Sequence, residues 1–159
     1  MKSVVIYYSR SGNTKDIAEK ISQRFDSDMF FVGPDREYGS YISSVMRVAK
    51  EKLLRKDITF RNDATDFSSY DVVFIGFPVW YGNMPDHLKE YLLQTDLKGK
   101  HVIPFITAGA NGKENCLNTI KDLCPHSEIT DHFFTSMILR ADVSEWLDQI
   151  YDRYDSCKM

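Results

Sequence analysis

An alternation of two hydrophobic periods limits this chain to very few folds. Apolar, β-branched or aromatic runs of strand length stand at Val4 to Tyr8, Met29 to Val32, Val72 to Ile75, Val102 to Ile106 and His132 to Met137. The middle runs are continuously apolar, as strands covered on both faces must be, whereas a strand with one wet face alternates. Between them the spacing changes to i, i+3, i+4, the mark of an amphipathic helix. That spacing is carried first by Ile17, Ala18, Ile21 and Phe25, then by Ile42, Val45, Met46, Ala49 and Leu53, and then by Leu88 and Leu92 after Pro85-Asp86. It returns from about Glu114 with Leu117, Ile120 and Leu123, and from Asp142 with Val143, Trp146, Leu147, Ile150 and Tyr154. Five strands and five helices in succession, joined by short connections, require parallel pairing through right-handed crossovers. The expected fold is α/β, a three-layer doubly wound sheet of five parallel strands with helices on both faces. No repeat, low-complexity tract or linker interrupts it, so one domain over residues 1–159 is expected. A monomer of that length buries roughly 70% of its unfolded surface, enough for a core without disulfides or metal.

Charge narrows the partners. Twenty Lys+Arg against 23 Asp+Glu leave a net charge of -3, without the basic excess of a nucleic-acid or anionic-membrane binder. The longest charge-free run, Val72 to Pro85, has 14 residues and contains Gly76, Pro78, Gly82 and Asn83, short of the ~20 apolar residues of a membrane span. The apolar start at Val4 runs straight into Ser9 to Thr14 and reads as a buried strand rather than a signal segment. Cys116, Cys124 and Cys157 are odd in number and lack C-x-x-C spacing, as expected of a protein in a reducing compartment, the cytoplasm.

Doubly wound sheets bind ligands outside the carboxyl ends of their strands, where the strand order reverses. The loops to inspect are therefore those after the first, third and fourth strands. The first is Ser9-Arg10-Ser11-Gly12-Asn13-Thr14, which opens directly into a helix. Backbone amides at a helix start lack intrahelical partners and the helix dipole favours an anion there, so hydroxyls and a glycine at that place form a phosphate cradle. The alternative, that Asn13 or Thr14 merely caps the helix and Gly12 makes the turn, uses only two of the six residues. The second is Gly76-Phe77-Pro78-Val79-Trp80-Tyr81-Gly82-Asn83-Met84-Pro85. A Trp80-Tyr81 pair exposed at a ligand edge is costly unless something flat covers it. The third is Thr107-Ala108-Gly109-Ala110-Asn111-Gly112, whose small residues let a planar ligand approach the backbone.

Other phosphate chemistries lack their residues. Gly99-Lys100 is followed by His101 and Gly112-Lys113 by Glu114, so there is no G-x-x-x-x-G-K-[ST], and no G-x-G-x-x-G occurs. No cysteine and no acidic cluster follows the first strand, which removes a thiol phosphatase and a phospho-acceptor receiver. A phosphate here is bound rather than transferred.

In these loops the chain resembles the flavodoxin family. Ser9-Arg10-Ser11-Gly12-Asn13-Thr14 looks like that family's hydroxyl-rich flavin phosphate loop, and Gly76-Phe77-Pro78-Val79-Trp80-Tyr81-Gly82 looks like its aromatic loop. The resemblance covers the whole chain in element order and implies strand order 2-1-3-4-5 and FMN as cofactor. It implies that Ser9, Ser11, Asn13 and Thr14 side chains, with the amides from Arg10 through Gly12 to Thr14, hold the phosphate. Trp80 or Tyr81 would stack on the ring, with Pro78, Val79, Gly82 and Asn83 beside it. The Gly82-Asn83 peptide would lie near flavin N5, able to turn over on reduction. Backbone of Thr107, Ala108, Gly109 and Gly112 would reach the pyrimidine edge. The implied function is electron transfer between a reductase and an acceptor oxidoreductase, with no catalytic side chain. An NAD(P)H-dependent flavin or quinone reductase on the same fold is the alternative, since the third loop lacks an aromatic and leaves room for nicotinamide. A regulatory module that has lost flavin is the second. Family carriers are usually strongly acidic, and a charge of -3 offers less of the negative field that lowers a flavin's potential.

The remaining conspicuous residues read as structural. Cys116 and Cys124 fall on the apolar face of the fourth helix. His87, His101, His126 and His132 have no metal-ligand spacing and are expected on surfaces or turns. The basic stretch Arg47, Lys50, Lys52, Arg55, Lys56 and the acidic stripe Asp142, Glu145, Asp148, Asp152 read as solvated helix faces. One test follows from the phosphate loop alone: changing Ser11 and Thr14 together to Ala should weaken FMN binding far more than riboflavin binding in fluorescence titrations, and equal losses would contradict the assignment.

Overall fold

The computed structural model describes residues 1–33 and 66–155, and shows how the two periods are used. The continuous apolar runs become the strands of one parallel sheet: β1 (Ser3–Tyr7), β2 (Asp28–Phe31), β3 (Val72–Pro78), β4 (His101–Ala108) and β5 (Phe133–Ser136). They lie in the order β2-β1-β3-β4-β5. The helically spaced segments become α1 (Asn13–Phe25), α2 (Asp86–Leu93), α3 (Lys113–Leu123) and α4 (Val143–Asp155). The helix expected around Ile42 to Leu53, with the basic stretch on it, and Cys157 lie outside the described residues. No helix among the described residues is long and apolar enough to cross a membrane.

Successive side chains of a strand point to opposite faces, and here each face meets its own helices. Val4, Ile6, Val73, Ile75, Val102 and Ile106 pack with Leu88 and Leu92 of α2 and Cys116 and Ile120 of α3. Val5, Tyr7, Phe74, Ile103 and Phe105 pack with Ile17, Ala18 and Ile21 of α1 and Trp146, Leu147 and Ile150 of α4. Asp148 of the acidic stripe reaches Arg24 on α1 at 3.0 Å. Burial pushes the Cys116 and Cys124 thiols up to about 11.

Two details depart from the sequence reading. Gly76, Phe77 and Pro78 at the end of β3, and Thr107 and Ala108 at the end of β4, are strand rather than loop, because the two strands stay in register to Pro78 opposite Thr107. The last step of that register is closed by the Val79 amide, which donates to the Thr107 carbonyl at 2.8 Å. His87 is buried, not superficial: its Nε2 lies 3.1 Å from the Val32 carbonyl, and its ring stands edge-on to Tyr8 at 4.4 Å. Its spacing from Leu88, Tyr91 and Leu92 on one face of α2 was the signal for that burial.

Gly76 has no room for a side chain. A Cβ built there would lie 1.9 Å from Cζ of Phe105, far inside contact distance, while the Gly76 carbonyl accepts from the Tyr8 amide at 2.9 Å. The missing side chain lets a phenyl ring lie over the centre of the sheet. Gly76→Ala should therefore destabilise the protein by roughly 3 kcal/mol in urea unfolding, and Phe105→Leu in the same chain should restore part of that loss.

Candidate functional site

β1 has β2 on one side and β3 on the other, so the connections after β1 and after β3 leave in opposite directions and a crevice opens between these two loops. The loop after β1 is closed by the Ser9 hydroxyl, which accepts from the Gly12 amide at 3.2 Å. Gly12, at φ 100°, is the N-cap of α1, and no side chain caps the helix. Asn13 and Thr14 are thus not spent on capping. The Asp16 amide makes the first helical bond, to the Gly12 carbonyl at 2.9 Å, and the amides of Asn13, Thr14 and Lys15 precede it. Ser9 is 2% exposed, and as an acceptor from Gly12 it keeps its own proton to give. Ser11 and Asn13 are exposed at the rim, as is Arg10.

The loop after β3 is a tight hairpin. Trp80 and Asn83 exchange two backbone hydrogen bonds, at 2.8 and 3.0 Å, across Tyr81 and Gly82. Both central residues have positive φ, 50° and 75°, as a two-residue turn of this hand demands. Glycine meets that demand freely, whereas tyrosine is strained there. The expected exposed aromatic pair is therefore split. Tyr81 projects fully into solvent. Trp80 lies half-buried with its ring edge-on to Tyr8, centroids 5.2 Å apart, and 5.9 Å from the His87 ring. The Arg10 guanidinium is also 5.9 Å from the Trp80 centroid, so the first loop reaches the second across the crevice.

α3 holds this hairpin from below. Asn115 donates to the Gly82 carbonyl at 3.3 Å, and Thr119 donates to Asn83 Oδ1 at 2.8 Å, which in turn accepts from the Met84 amide. A Cβ on Gly112, the N-cap of α3, would come within 2.6 Å of Val79 Cγ1. Turning over the Gly82-Asn83 peptide means breaking the Asn115 contact. Asn115 and Thr119 escaped the sequence reading because a polar residue on the first turns of a helix carries no mark of what it holds.

The loop after β4 completes the edge. Gly109 and Ala110 are exposed, and a cavity of about 340 Å³ opens beside Gly112, Asn115 and Phe134. At the base of the crevice Thr14 and Thr107 meet hydroxyl to hydroxyl at 2.8 Å. A Cβ on Gly12, Gly82 or Gly109 would meet nothing within 4 Å, so all three loops face open space. Unspent amides and hydroxyls at one end and an aromatic face at the other suit a planar molecule carrying a phosphate.

A flavodoxin family model matches residues 2–150. The chain belongs to the flavodoxin family. Among solved structures it is similar to a protein described as a flavoprotein from Bacteroides uniformis, at 22% identity and TM-score 0.70, over 92% of this chain and 97% of that one. A counterpart from Bacteroides eggerthii has 26% identity and TM-score 0.67, over 95% and 96%. A flavoprotein of Lactobacillus acidophilus, solved in complex with FMN, has 24% identity and TM-score 0.61, over 84% and 92%. No match is found among curated proteins.

The strain at Tyr81 gives a direct test of this family member's turn. Tyr81→Asn, which creates the Asn-Gly pair favoured at such turns, should stabilise the flavin-free protein by about 1 kcal/mol in urea unfolding. Destabilisation would mean that the ring makes contacts in solution.

Proposed function

We propose that the chain binds FMN and carries electrons between a reductase and an acceptor oxidoreductase in the cytoplasm. The observation that carries this reading is the pairing, across one crevice, of an α1 start whose donors are unspent with a half-buried Trp80 fixed by Tyr8. Family membership supports it, as does the FMN bound in the Lactobacillus acidophilus relative. When bound, FMN supplies one- and two-electron transfer; the side chains supply its binding and its surroundings.

The Arg10, Ser11, Asn13 and Thr14 amides and the hydroxyls of Ser9, Ser11 and Thr14 would hold the phosphate, with the Asn13 side chain at its rim and Gly12 shaping the turn. Neutral donors at a helix start suit a dianion, with Arg10 the one cation of that loop. Trp80 is the aromatic in place to support the ring, because Tyr8 and His87 hold it against the sheet, whereas Tyr81 hangs free as a cover. Pro78, Val79, Gly82 and Asn83 would line the same side. The Thr107, Ala108, Gly109 and Gly112 backbone would meet the pyrimidine edge. Asn115 holds the Gly82 carbonyl, so it governs how readily that peptide offers its oxygen to the ring.

The visible spectrum of the purified protein, recorded before and after addition of FMN, tests binding. Under anaerobic conditions NADH or NADPH alone should leave the flavin oxidised, and catalytic amounts of an NADPH-dependent flavodoxin reductase should bleach it. Rapid bleaching by the nucleotide alone would overturn the carrier reading in favour of a reductase. Failure to take up FMN would leave a module without flavin.

A further inference from the structure

Thr14, in the first turn of α1, and Thr107, at the end of β4, are 93 positions apart, yet their hydroxyl oxygens lie 2.8 Å from each other. Both residues are buried, at 1% and 8% exposure. Each hydroxyl has one proton to give and two lone pairs to accept. The pair holds two protons and makes one contact, and among the described residues neither hydroxyl has another partner. One proton is therefore left without an acceptor in a place where few waters reach, which is costly unless a ligand takes it. The same turn already presents backbone amides ahead of its first helical bond, from Asp16 to Gly12. Only a group rich in acceptors matches such a set.

We infer that the Thr107 side chain is a positioning residue for the ligand phosphate. It donates its proton to Thr14 Oγ1, which leaves the Thr14 proton to be given to a phosphate oxygen. Without an anion the direction of the contact can reverse; with one, it runs from strand to helix to ligand. Thr107 thereby serves both ends of the crevice, since its carbonyl also accepts from Val79 at the root of the Trp80 hairpin. This assignment rests on the flavin reading above and adds to it a side chain that discriminates phosphorylated from unphosphorylated flavin without touching either.

The test is fluorescence titration of the full chain and its Thr107 variants with FMN and with riboflavin. Thr107→Val keeps the β-branched shape and the backbone carbonyl but removes the hydroxyl. It should bind FMN about tenfold more weakly and riboflavin unchanged. Thr107→Ala, which adds no bulk, should behave likewise, and Thr107→Ser should restore FMN affinity. Equal losses for both flavins, unaltered FMN affinity, or no rescue by serine would each overturn the relay. If the unsubstituted chain binds neither flavin, the flavin reading fails, and inorganic phosphate decides the relay by nuclear magnetic resonance. Phosphate-induced shifts of the Asn13 and Thr14 amides that vanish in Thr107→Val support it, and shifts that persist, or never arise in the unsubstituted chain, overturn it.

Discussion

The ligand edge depends on the β3–β4 ladder continuing past the point where the apolar runs end. Pro78 still faces Thr107 in register, and the Val79 amide still reaches the Thr107 carbonyl. The Val79 amide, one residue past Pro78, makes the bond that closes this last step of the register. That added step launches the Trp80–Asn83 hairpin from a rigid base and holds the Thr107 hydroxyl where Thr14 can meet it. A site assembled from loops is only as well defined as the scaffold beneath them, and here the scaffold extends to the roots of the loops.

The same economy appears in α3. Asn115, Thr119 and the bare backbone of Gly112 all bear on the loop after β3, so a helix that follows β4 fixes the walls contributed by its neighbour. The Asn83 amide oxygen takes bonds from both Thr119 and the Met84 amide, and one side chain thus joins helix, hairpin and the approach to α2.

Much of this was legible in the sequence because it depends on local periods. Continuous apolar runs marked buried strands, three- and four-residue spacing marked helices, and the order of the two marked the sheet edge at which a ligand would bind. The six residues from Ser9 to Thr14 stand out as a donor-rich helix start because they are adjacent. What escaped was set by pairing across the chain. Gly76 and Pro78 look like loop residues by themselves and become strand only because β4 lies alongside. Trp80 and Tyr81 are neighbours of the same chemical class, and only the hand of the turn sends one toward the sheet and the other into water. The Thr14–Thr107 contact joins residues that no short motif can connect.

Cys116 and Cys124 lie under α3, within the packed layer between that helix and the sheet. With thiols pushed up to about 11, almost none is ionised at neutral pH, and thiolate is the form that attacks disulfides and oxidants. Their burial makes these two sulfurs spectators: among the described residues neither offers a nucleophile at the surface, and both serve the packed layer as small apolar side chains.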